Sequence, residues 1–187
     1  MEEEELLAVM GRVGEKEILP YEEDVSDLPL VEDPPAPSEV IAKKTVPELG
    51  VTEWRLANGV RVVLKPTDFQ NDQVIFTAFS PGGHSLVSDE DYVAASTATS
   101  VVSQGGLGKY NLISLQKKLA GKAVRVSASI GGLQEGVSGS ASPEDLETMF
   151  QLIYLTFTAP RKDSSAFLAY RSRLHGVLEN RSARPET

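Results

Sequence analysis

The sequence predicts an α+β domain in which helices cover one face of a largely antiparallel sheet. Three observations carry this reading. An Asn58-Gly59 pair joins two apolar runs, the strongest short-range signal of a β-hairpin. Val124 to Ile130 alternates apolar and polar residues, and Gly131-Gly132 turns it into another strand, Leu133 to Ser140. Between and after these strands lie helical stretches with recognisable starts and stops, so the order is hairpin, strand, two helices, two strands, two helices.

Residues 2–17 have Leu6, Met10 and Val13 spaced for one face of a short helix, which Gly11 and Gly14 weaken. From Leu19 to Pro47 the chain is acidic and carries six prolines (20, 29, 34, 35, 37 and 47), a composition that blocks helix and sheet ladders and favours extension. Tyr21, Val25, Leu28, Leu30 and Val31 suggest an arm lying along a surface. The expected division is therefore an acidic, proline-rich arm with a short helix over 1–49, and a partial α+β domain over 50–187.

Trp54 to Ala57 and Val60 to Leu64 form the arms of the hairpin. Gln73 to Ser80 is apolar on both faces (Val74, Phe76 and Ala78 against Ile75, Thr77 and Phe79), so it is expected as a buried inner strand. Ser88 to Gly106 reads as a helix with Ser88 as N-cap, Asp91 at the capping-box position, acidic residues in its first turn, and Gly105-Gly106 as its stop. Its body is alanine, serine, threonine and valine, small enough for close approach to a sheet or helix. A second helix runs from Leu112 to Ala120 between Asn111 and Gly121. Ser142-Pro143-Glu144-Asp145 opens a third. Its core face is expected at Leu146, Met149, Phe150, Ile153, Tyr154 and Phe157, ending at Ala159-Pro160. The last helix, from Ser164 to about Asn180, carries Phe167, Tyr170, Leu174 and Val177 on one stripe. With no closing strand after it, the domain is expected to be truncated.

Composition narrows function. Hydrophobic content is 41% and charged content 24%, with a formal net charge of −9. Such a balance argues against general nucleic-acid binding, which needs clustered Lys and Arg, and against docking on anionic lipid. The chain has no cysteine, which excludes disulfides, thiolate nucleophiles and Cys-based zinc sites. No run approaches the roughly 18 apolar residues of a membrane span. Met1 followed by four glutamates is the opposite of a basic signal-peptide start.

Several local patterns have a chemical and a structural reading. The hydroxyls of Ser96, Thr97, Thr99, Ser100 and Ser103 offer nucleophiles, but there is no G-x-S-x-G elbow, and such side chains on a helix bond back to its carbonyls. Gln104 to Lys109 resembles a phosphate loop, yet it follows a helix and Tyr110 stands where Ser or Thr is needed; it reads as a helix-to-helix turn. His84 and His175 are the only histidines, and a zinc site from them would need a carboxylate such as Glu179. Surface or hinge roles are the expectation. The cations at Arg161, Lys162, Arg171, Arg173, Arg181 and Arg184 read as a solvated helix face, with contact to the acidic arm as the alternative.

Trp54 to Lys65, Phe79 to Ser85 and Ser140 to Leu146, in that order, resemble the opening strands, the approach to the first helix and the third-helix start of the pitrilysin/insulinase family of zinc metallopeptidases, the inverzincins. The resemblance covers about residues 50–185. In that family H-x-x-E-H on the first long helix supplies two zinc-binding histidines and the general base, and a later glutamate completes the site. Laid on this chain the motif falls on Ser96-Thr97-Ala98-Thr99-Ser100. Ser96 and Ser100 stand where the histidines belong, Thr99 where the base belongs, and the later ligand falls near Arg173. The resemblance thus implies the start of the non-catalytic C-terminal half of a bacterial two-half member, with no catalytic or metal residues of its own. Zinc is expected in the catalytic half, in the same polypeptide or a partner chain. Together the halves enclose a peptide substrate, some in the periplasm, with substrate contacts lying beyond Thr187. The alternatives are a structural or pseudoenzyme module of the same fold, or a peptide-binding domain that adds a strand at a sheet edge.

Overall fold

The computed structural model describes residues 29–182 together with Leu7, Met10, Gly11 and Val13, which are helical. The remaining positions of the expected N-terminal helix, and Tyr21, Val25 and Leu28 of the arm, lie outside the described residues.

β1 (Val40–Val46), β2 (Val51–Leu56) and β3 (Arg61–Leu64) form one antiparallel sheet in the order β1-β2-β3. The Asn58-Gly59 turn behaves as its sequence demands. Gly59 sits at φ +90°, its N–H donates to Leu56 O at 3.0 Å, and the Asn58 side chain accepts from Val60 N at 3.1 Å. β1 lies N-terminal to residue 50, inside the stretch whose prolines suggest an extended arm. It pairs with β2 from Val40↔Leu56 to Val46↔Val51, and its seven residues contain no proline.

β4 (Val74–Pro81), β5 (Val124–Ile130) and β6 (Gln134–Ala141) form the second sheet in the order β4-β6-β5. The expectation that 73–80 is the inner strand is therefore corrected: β6 is central and β4 is an edge. The register explains the double-faced apolarity of β4. Phe76 faces the helices, meeting Phe150 edge-on at 5.6 Å between ring centres, whereas Ile75 and Phe79 on the other face are 75% and 71% exposed. Small side chains suit β6 to the centre. A Cβ on Gly139 would stand 3.1 Å from Met149 Sδ, so glycine there lets the covering helix approach.

α1 (Tyr92–Gly105), α2 (Leu112–Lys118), α3 (Leu146–Thr158) and α4 (Ser164–Ser182) make up the helical side. α1 and α3 lie against β5, α3 also against β6, and α2 and α4 pack on α1. The α1 start is later than expected. Ser88 Oγ donates to Asp91 Oδ2 at 2.9 Å and the Asp91 N–H returns a 3.3 Å bond to Ser88 Oγ, but this exchange closes a separate turn, and the first helical turn contains no acid. Ser142 and Asp145 make the same exchange ahead of α3. Asn111 caps α2 as expected, accepting from Ser114 N at 2.9 Å.

The buried face of α3 is also corrected. Met149, Leu152 and Leu155 are buried, while Phe150, Tyr154 and Phe157, expected in the core, are exposed. On α4, Phe167, Leu174 and Val177 are likewise exposed. The core has two parts. Val137, Ala141 and Met149 are buried where α3 meets the sheet, and Leu30, Tyr110, Leu115, Leu152 and Leu155 cluster between α2, α3 and the arm.

Candidate functional site

Ser96, Thr99 and Ser100, the positions on which the sequence reading lays the metal motif, fall in the middle of α1. Ser96 and Ser100 are exposed and one turn apart, the spacing at which two ligands share a face, and Thr99 beside them is half-buried. Three hydroxyls of this helix bond to its own carbonyls. Ser96 Oγ donates to Val93 O at 3.0 Å, Thr97 Oγ1 to the same carbonyl at 2.9 Å, and Ser103 Oγ to Ser100 O at 2.9 Å. A hydroxyl that directs its proton into a backbone carbonyl, with no base beside it, is not an activated nucleophile.

The two histidines are held apart by the fold. His84 sits in the 3-10 turn Gly83–Leu86 that follows β4; its ring meets Tyr92 at 5.4 Å, edge to face, and its N–H donates to Gly131 O at 2.8 Å. Its Nε2 is buried without a hydrogen-bond partner. His175 lies on the exposed side of α4 with Nδ1 3.3 Å from Glu179 Oε2, so Glu179 is engaged one turn along the same helix. Arg173, near which the sequence reading lays the later ligand, rests its guanidinium 5.6 Å from the Tyr170 ring centre. Among the described residues, no three His, Cys, Asp or Glu side chains gather as a metal-binding group.

Residues 104–109 form the expected helix-to-helix turn. Leu107 bridges Tyr110 through paired backbone bonds of 3.0 and 2.9 Å, and Gly108 N donates to Ala159 O at 2.8 Å. Gly106 has φ +85°, and a Cβ there would stand 2.3 Å from Tyr110 O, so glycine is required by both conformation and space.

Among the described residues two carboxylates are shifted, and both stand just before helices. The Ala123 N–H, the Lys122 ammonium and the Ser142 hydroxyl hold Asp145 below the usual aspartate range, against a smaller opposing effect of burial. Asp163 is lowered chiefly by the Ser165 hydroxyl and then by the Ala166 N–H. Asp163 caps α4 through the Ala166 N–H, whereas the Asp145 carboxylate ties the turn ahead of α3 to Lys122 and Ala123.

Sequence reasoning missed one surface and gave another only as an arm lying along an unspecified face. One is the helix-free face of the second sheet, where Ile75 and Phe79 of edge strand β4 stand beside Ser127, Ser129 and Ser138. The signal was present in the apolarity of both faces of 73–80. The other is the seat of Leu30, which is 9% exposed although its proline-rich surroundings read as an arm. Its signal was the apolar pair Leu30-Val31 within that arm.

No family model matches the chain. Over 144 residues, 77% of this chain, it is 34% identical to a zinc protease PQQL-like protein of Arabidopsis thaliana. Over 121 residues it is 27% identical to a probable zinc protease PqqL of Haemophilus influenzae. The chain spans 13% of the length of each of these relatives. Its fold matches the crystal structure of the periplasmic protease PqqL from Escherichia coli with a TM-score of 0.75 at 24% identity, covering all of this chain and 20% of that one.

Proposed function

The chain belongs to the PqqL-like zinc proteases of the pitrilysin family, as one segment of that architecture, and from this we propose that it contributes to a non-catalytic half. In this reading it forms part of the wall that encloses a peptide substrate, while another half supplies the zinc and the general base. The observation that carries the proposal is the face of α1. In this reading α1 takes the part of the metal helix, and Ser96, Thr99 and Ser100 stand where the motif calls for two imidazoles and a carboxylate. Arg173 on α4 would then be a cation near the place of the anionic third ligand.

Two measurements test it. The purified chain is expected to hold no stoichiometric zinc by elemental analysis and to cleave no peptide. Mixed with the half that bears H-x-x-E-H, encoded in the same frame or in a neighbouring gene, it is expected to co-purify and to support cleavage that EDTA abolishes. EDTA-sensitive cleavage by the chain alone would overturn the proposal, as would a flanking DNA sequence that encodes no zinc-bearing half.

The exposed edge of β4 favours a second reading, an independent peptide-binding module that takes an extended ligand as an added strand. Peptide binding that persists without any catalytic half distinguishes it.

A further inference from the structure

We infer that the hollow between α2 and α3 is a docking socket for a short apolar–acidic segment, and that residues 29–33 of this chain occupy it as a releasable latch. Leu30 is seated among Tyr110, Leu115, Leu152 and Leu155, with Val31 packed beside it. At the rim Glu32 pairs with the ammonium of Lys109, which also lies 5.5 Å from the centre of the Tyr110 ring. An apolar anchor in a pocket with a charged rim is the usual anatomy of peptide docking.

The socket is built without the arm. The Leu107–Tyr110 bridge, the Gly108–Ala159 bond and the Asn111 cap of α2 fix its walls through contacts within residues 107–159. The arm, in contrast, brings little that is its own. Residues 29–39 form no helix or strand, and positions 32–37 are exposed. One buried leucine, one half-buried valine and one ion pair at the surface therefore hold an irregular segment to a preformed site. Such a segment exchanges as a unit, leaving the helices in place, and a second segment of the same chemistry can take its seat.

The test uses a fluorescent peptide with the sequence of residues 27–35 and the full chain. Leu30→Asp, which empties the socket, is expected to bind the peptide at least about tenfold more tightly than the unaltered chain, whose own arm competes. Glu32→Lys, which leaves Leu30 seated and opposes Lys109, is expected to raise peptide binding about two- to fivefold. Adding Lys109→Glu to Leu30→Asp is expected to weaken binding, and a peptide carrying Lys in place of Glu32 is expected to restore it. The inference is overturned if folded Leu30→Asp binds no better than the parent, or if Glu32→Lys changes nothing. It is also overturned if Leu30→Asp loses its cooperative unfolding transition, because Leu30 is then a core residue and not a latch.

Discussion

Asp145 and Asp163 each stand just before a helix, and the bonds that hold their carboxyls unusually acidic also make them pH-sensitive parts of the fold. A carboxyl more acidic in the folded than in the unfolded chain adds stability that is complete above the unfolded value, about 3.9, and disappears as pH falls through the lower folded value. Asp145→Asn is thus expected to lower the urea midpoint at neutral pH, with the deficit closing below about pH 4. A deficit that stays constant down to pH 2 would trace the effect to geometry and not to charge. Met149, fully buried against Gly139, is expected to cost about 2–5 kcal/mol when replaced by alanine, read from urea unfolding. A loss below about 1 kcal/mol would mean that α3 is not firmly seated on the sheet. At this scale much was legible. The Asn111 cap and the back-bonded hydroxyls of α1 are local chemistry, decided within four residues of chain, whereas Ser-Pro-Glu-Asp closes a turn and α3 begins only at Leu146.

Element by element, turns were easier to read than partners. Asn58-Gly59 announces its reversal because the positive φ of Gly59 is a backbone requirement, and Gly131-Gly132 marks another turn by composition alone. Which strand lies at the centre of a sheet depends on long-range pairing, and the apolar count of β4 misled for that reason. Hydrophobicity marks side chains that leave water in some assembly, not the neighbours they meet in this one. The same distinction explains α3, where two overlapping three- and four-residue stripes were available and tertiary contacts select Met149 against the sheet and Leu152 and Leu155 against the cluster with Leu30, Tyr110 and Leu115. The exposed Ile75 and Phe79 then make a direct prediction. Replacing both with lysine is expected to reduce hydrophobic-dye binding and self-association while changing stability by no more than about 0.5 kcal/mol. A loss of several kcal/mol would show that this face is packed in solution.

For the molecule as a whole, the series of short sequence words from Trp54 to Leu146 was enough to place the family, which the relatives bear out. No one of those words could show how the arm sits. Leu30 is separated from Tyr110 and Leu152 by most of the domain, so its burial is a tertiary fact with only a local hint. Chain order gives that distance a consequence in time. A ribosome releases residues N-terminus first, so Leu30 emerges before any wall of its socket exists. β1, β2 and β3, contiguous in sequence from Val40 to Leu64, can pair soon after they appear. The arm must wait until Leu155 has been made. During translation its apolar pair is left to water, to chaperones or to a neighbouring nascent chain, and the latch closes only after its socket has been made.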